Sequence, residues 1–411
     1  MPEIVIHAGG GSEHHARLLL QHFGSRAIIE SSRKPSVLAA HEPEMVITFD
    51  EHDCELGLCI AEMANRGVAT LQVMDGILEW RRTWGYPTSA MKRPLNQPVL
   101  AHKVACLGNV DARIMESWGN VGKCEVVGAP RFDRLVGLGK PLRVEPIRNR
   151  PLRLLIMTAK TPGFTPEQVE ITYRSLTDVR DVLRDRTDIE VVWRVTQQLH
   201  TKLQVQNTFR DMTGGELHEI LRQVDAVITT PSTAMLESML CGLPTALLDY
   251  HNCPHYVTAA WRITSKEQMM PAIEDLRSAP LARMLYQDFC LHDALACRTP
   301  ALPRIVTLIE EMIRLRREAK GRNEQRVQFP HRILADPGDH VSWPSAQFDL
   351  QTLYPRHPVF GRTDVTAMQA ELEAALGTVE RLNAQVDVLT RRLHQIPGYS
   401  LAARIKNMLK S

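Results

Sequence analysis

The sequence is poor in aromatic side chains. Phe, Trp and Tyr make up 5% of its 411 residues, which argues against modules that read single-stranded RNA by stacking bases. An excess of one charge is also missing: 49 basic and 47 acidic side chains leave a net charge of +2. Such a balance gives no global pull toward nucleic acid, a local basic patch aside, and no nucleic-acid partner is expected. The sequence contains no run of 18 apolar residues, so no membrane-spanning helix is expected. Its eight cysteines form no CxxC pair and read as reduced cytoplasmic thiols. The opening MPEIVIHAGGGSEHH runs straight into a strand pattern without the basic and apolar regions of a secretory signal. The expected location is the cytoplasm, with peripheral contact at the inner membrane face left open.

What remains is a globular composition, 44% hydrophobic and 23% charged, in a chain long enough for two domains and an appendage. Short apolar runs alternate with helical patterns: EIVIHA, EMVITF, VATLQVM, HKVACLG and CEVVGAP as strands, with SEHHARLLLQHF, DCELGLCIAEMANRG and NVDARIMESWG as helices. Strands that alternate with helices imply an α/β fold with parallel sheets. A polar, proline-punctuated stretch near Arg148–Arg153 breaks the series, which restarts at LRLLIMTA. The expected division is 1–147 and 148–321 for two Rossmann-like domains. A Pro-rich linker (322–362), a coiled-coil helix (363–396) and a basic amphipathic tail (397–411) follow.

The coiled-coil segment places Val365, Leu372, Val379, Val386 and Leu393 at a, and Met368, Ala375, Leu382, Leu389 and Ile396 at d. β-Branched a with leucine at d favours a parallel homodimer; a single helix lying on the protein's own body is the alternative. The tail suits an anionic membrane surface or simple fraying.

The most informative stretch is VDAVITTPSTAMLESMLCGLPTALLDY, Val224–Tyr250. AVIT reads as a strand buried on both faces. Ser232 is placed to cap the helix that follows and Gly242 to end it. Such a strand end lies at the carboxyl edge of a parallel sheet, where open α/β folds bind ligands. A helix N-terminus with Ser232 and Thr233 hydroxyls suits a phosphate. Glu237 lies one helical turn beyond Thr233, within reach of ribose hydroxyls. Plain helix capping and a solvated acid remain the alternative reading of these residues.

This stretch resembles the nucleotide-binding half of GT-B glycosyltransferases, especially bacterial surface-polysaccharide enzymes. KCEVVGAPRFDRL resembles the strand and turn that end the first domain in that family, and LRLLIMTA its next strand; the resemblance spans roughly Ile4–Lys320. It implies two Rossmann-like domains around a cleft, with the donor nucleotide in the second. Ser232 and Thr233 would then hold phosphate, Glu237 the ribose, and Arg194 and Lys160 would help bind the donor. The nucleotide sugar is a substrate, and no cofactor or metal is expected. The acceptor would be a glycan or lipid-linked precursor. Two departures are visible: Thr196-Gln197 stand where relatives show His-Pro, and Thr229-Thr230 where retaining enzymes carry an upstream glutamate. The second favours inversion or a different retaining subgroup.

Inversion needs a group to take the acceptor's proton. In TLQVMDGILEWRRTWG, Asp75 ends a strand and is the main candidate, with a simple Asp-Gly turn as alternative. Glu79 and Arg81, beside Trp80 and Trp84, suit a sugar face and an anionic group. Gly10 and Gly11 lie in a loop that the resemblance turns toward the cleft, and His14 is a second base candidate. Asp50 and Glu51 are weaker ones. His251, Cys253 and His255 read as a loop lining the donor site rather than a metal centre. A UDP-sugar 2-epimerase, a CDP-polyol phosphotransferase and a non-catalytic GT-B scaffold stand as alternatives.

Overall fold

The computed structural model describes residues 2–8, 12–49, 51, 54–84, 95–136, 141–196, 199–206, 214–335 and 365–395. It separates into a body, residues 1–346, and a C-terminal unit, residues 347–411.

The body holds two wholly parallel sheets. The first contains β1 (Ile4–His7), β2 (Ala27–Glu30), β3 (Met45–Thr48), β4 (Ala69–Val73), β5 (Lys103–Cys106) and β6 (Cys124–Val126), in the order β2-β1-β3-β4-β5-β6. The second contains β7 (Leu152–Met157), β8 (Ile189–Arg194), β9 (Ala226–Thr229), β10 (Thr245–Leu248) and β11 (Trp261–Ile263), in the order β11-β10-β9-β7-β8. β1, β3, β4, β9 and β10 are buried along their whole length. Helices cover both faces of each sheet, so these strands read as unbroken apolar runs.

Most expected elements are present at their places. Two edge strands, β2 and β11, and two long helices, Met269–Ser278 and Leu281–Ala294, are additional, with short helices such as Pro35–Ala39 and Leu199–Leu203. β2 has only four residues and leaves Ile29 39% exposed, so its pattern is weak.

The helix Ala301–Gly321 changes the domain picture. It follows the second sheet in sequence, yet Ile305, Leu308, Ile309, Met312 and Ile313 share a core with Ile4, Ile6, Met45, Ile47 and Leu71 of the first sheet. Its N-terminus is fixed by Asp133 of the PRFD turn, whose carboxylate accepts from Ala301 N at 2.7 Å and Leu302 N at 2.9 Å. The chain then runs back over the first sheet. Lys103, fully buried, donates to Glu125 Oε1 at 2.7 Å and to the carbonyls of Pro330 (2.7 Å) and His331 (3.0 Å). Glu125 in turn accepts from Ile333 N and Leu334 N. The start of the expected 322–362 linker is therefore a strap on the first domain as far as residue 335.

The C-terminal unit contains the helix Val365–Gln395. No described helix is long and apolar enough to cross a membrane. The tail, 397–411, lies outside the described residues.

Removing one member of a buried ion pair leaves the other charge unpaired, a loss of about 3–5 kcal/mol. Lys103→Met should therefore lower unfolding free energy by about that amount in urea titrations. Protease cleavage near residue 330 should also rise, because the strap loses its anchor.

Candidate active site

The loops that follow β4, β6, β7, β9 and β10 all leave the carboxyl ends of parallel strands, where open sheets place ligands. The two halves touch directly here. Ile77 N donates to Thr233 Oγ1 at 3.2 Å. A Cβ on Gly76 would lie 2.6 Å from that same oxygen, so only glycine permits the approach. Thr233 thus accepts from the first half and keeps its hydroxyl proton to donate.

Beyond β9 the sequence folds as expected in outline but not in detail. The helix is Ala234–Leu240, with Thr233 rather than Ser232 at its N-cap and no side-chain cap. Gly242 closes it with φ +68°, the left-handed position that favours glycine. The Ser232 hydroxyl is instead buried with no hydrogen-bond partner. An unsatisfied buried hydroxyl is costly, and a ligand oxygen would relieve it.

Glu237 is no solvated acid. It is buried, and its Oε2 lies 2.8 Å from His218 Nε2. His218 comes from the helix Gly214–Leu221 and was not anticipated. The pair leaves Glu237 Oε1 to accept from a ligand hydroxyl.

Arg131 also enters this space, from the PRFD turn. Burial pushes its guanidinium below the ordinary value, and the charges of Glu237 and Asp75 oppose that. The side chain is only part-buried, and it makes no hydrogen bond or ion pair within the described residues. It rests against the Phe132 ring, 4.7 Å from its centroid. A fixed guanidinium whose donors have no protein acceptor suits an anionic ligand.

Asp75 is exposed at the end of β4, within electrostatic reach of Arg131. Of the two adjacent histidines, His14 is exposed and His15 turns inward. Burial first, then Arg131, His14 and Lys160, lowers the His15 pKa to about 3. This places Lys160, itself exposed, near His15 across the cleft. Arg194 is buried at the end of β8. Gly10 and Gly11 lie outside the described residues, as does Asp50. The Glu51 carboxylate is taken up by Leu100 N and Ala101 N, both at 2.7 Å, which makes it structural.

Glu79 and Arg81 form an interdomain tie. Arg81 Nη2 donates to Glu79 Oε2 at 2.6 Å, and Arg81 Nη1 donates to Pro162 O at 3.3 Å and lies 3.2 Å from His251 Nε2. Burial and then Arg81 hold the His251 pKa at about 4, so its neutral ring can accept from the guanidinium. His255 is occupied by Asp249, at 2.7 Å. Beside this tie stands an aromatic group. Trp80 packs on Trp84 and Tyr256 with centroids 5.8 and 6.1 Å apart, and Trp84 Nε1 donates to Tyr256 Oη at 2.9 Å. Aromatic faces of this kind suit sugar rings.

No family model and no curated protein matches the sequence. Solved structures do resemble it. The S. aureus MnaA structure with UDP is 14% identical, over 77% of this chain and 98% of that one, with a TM-score of 0.52. A putative UDP-N-acetylglucosamine 2-epimerase from Listeria monocytogenes is 15% identical, over 76% of this chain and 96% of that one, with a TM-score of 0.49. The wall teichoic acid polymerase TagF is 13% identical, over 76% of this chain and 88% of that one, with a TM-score of 0.48. With its two parallel α/β sheets, the chain has the GT-B fold.

The His15 environment gives a pH test. Its folded pKa lies below the unfolded value, so the unfolded state binds more protons below about pH 6.5 and stability falls as pH drops. Between pH 7 and 5, His15→Asn should lose about 2 kcal/mol less unfolding free energy than the parent protein. Equal losses in urea titrations at the two pH values would contradict the buried, neutral imidazole.

Proposed function

We propose that the protein is a glycosyltransferase that moves a sugar from a nucleotide-activated donor to a hydroxyl of a cell-surface glycan or its lipid-linked precursor, with inversion. The observation that carries this reading is Arg131: a part-buried guanidinium with no protein hydrogen bond or ion pair among the described residues, set near Glu237 and Asp75. A nucleoside diphosphate would meet Arg131, with Lys160 beside it, and would satisfy the orphaned Ser232 hydroxyl. Glu237, steadied by His218, would accept from the ribose hydroxyls. Arg194 would complete the donor side.

On the acceptor side, Asp75 takes the proton of the attacking hydroxyl. The acceptor oxygen bonds to the anomeric carbon while the bond from that carbon to the donor phosphate breaks. The bonding pair leaves on the phosphate oxygen, where Arg131 stabilises the developing charge. Trp80, Trp84 and Tyr256 give the sugar or acceptor an apolar face. The resemblance of the fold to a structure solved with UDP supports a uridine donor as the first to test.

The test is a thermal-shift panel of UDP, CDP, GDP, CMP and TDP on the parent protein, Glu237→Ala and Arg131→Met. A ligand that binds only the folded state raises Tm with the logarithm of its concentration over Kd. One diphosphate should stabilise the parent, and Arg131→Met should weaken its Kd at least about tenfold through loss of a charge-assisted contact. No shift from any nucleotide in a well-folded protein would sink the reading and favour a scaffold role. Turnover of the sugar without an acceptor would assign an epimerase instead.

A further inference from the structure

The helix Val365–Gln395 carries an apolar stripe along one face. Val379, Leu382, Val386 and Leu389 are 52–57% exposed, and Leu376 54%. The stripe follows an unbroken heptad, so it fits the matching face of another helix. At about 1.5 Å per residue the helix is long enough for four heptads of contact.

Charge along the helix is divided. From 365 to 380 it carries Glu371, Glu373 and Glu380 and no basic residue; from 381 to 395 it carries Arg381, Arg391 and Arg392 against Asp387 alone. Two copies laid parallel would set acid beside acid and base beside base. Laid antiparallel, each acidic half meets a basic half.

The flanking positions agree. In a parallel pair each g position faces the next e, which gives Glu371 against Leu376, Thr378 against Asn383 and Gln385 against Thr390. None of these is an ion pair. In an antiparallel pair g faces g. A register centred between Glu380 and Arg381 then sets Glu371 of one copy against Arg392 of the other, at both ends, and Thr378 against Gln385. Flanking charges of this kind set helix orientation. The same register puts every a residue against a d residue: Val379 against Leu382, Val386 against Ala375, Leu372 against Leu389. Parallel packing would instead stack Ala375 on Ala375 and leave a gap in that layer.

We propose that a second copy of this chain covers the stripe, as an antiparallel coiled coil centred near Glu380 and Arg381. This replaces the parallel arrangement expected from the a and d residue types alone. It is independent of the proposed reaction.

Analytical ultracentrifugation of the full chain tests it, from below to well above micromolar concentration. The parent should sediment as a concentration-dependent dimer. Leu382→Asp, at the centre of the seam, should sediment as a monomer with an unchanged melting temperature of the body. Arg392→Glu and Glu371→Arg each place like charges at both ends of the antiparallel seam, and each should weaken the dimer about fivefold. The double reversal should restore the parent affinity. A parent that is monomeric throughout would overturn the proposal, as would a dimer that Leu382→Asp leaves intact. A dimer indifferent to all three charge variants would overturn the antiparallel orientation.

Discussion

The carboxylate of Asp133 takes up the first two backbone N–H groups of the helix Ala301–Gly321, and much of the molecule follows from that cap. A helix that begins beside the first sheet must bury its apolar face there, and Ile305, Leu308, Ile309 and Met312 do so. The second sheet is therefore inserted between two passes of the chain over the first. The carboxyl edges of both sheets then share one cleft. The PRFD turn links this frame to the site: Asp133 anchors the helix, and Arg131, two residues earlier, enters the space near Glu237.

Most carboxylates in the cleft are hydrogen-bonded to a basic side chain. Glu237 is hydrogen-bonded to His218, Glu79 is paired with Arg81, and Asp249 is paired with Arg262 and hydrogen-bonded to His255. Arg131 has two carboxylates in its field and no hydrogen-bonded or ion-paired partner among the described residues. Histidines 15 and 251 are held neutral by burial and nearby cations, so they add no compensating positive charge.

Much of this was legible in the sequence. The parallel strands announce themselves as unbroken apolar runs, because covering both faces leaves no polar side to alternate with. The β9-turn-helix-β10 segment could be placed from its own residues, since Gly242 and the strand pattern act locally. What failed to show is set by distance or phase. Neighbouring helical residues are about 100° apart around the axis, so His14 and His15 cannot be told apart until the helix is seated. His218 lies 19 residues before its partner Glu237, and nothing local marks the pair. Arg131 was visible as part of a motif, but a turn residue's direction depends on what packs around it. Ser232 looked like a cap, and the backbone moved that duty to Thr233. The helix Ala301–Gly321 had a readable amphipathic face; which sheet it would cover was not written in it.

The return of the chain also governs how the two halves can move and be separated. They are joined covalently twice, once between Val136 and Leu152 and again near Ala301. A single connection would act as a swivel, open to rotation about any axis. Two connections confine any opening to a hinge about the line between them, so the cleft can widen or narrow but its walls cannot slide far past each other. A chain nicked at the first connection would become two pieces, held together by the packing of Ala301–Gly321 on the first sheet.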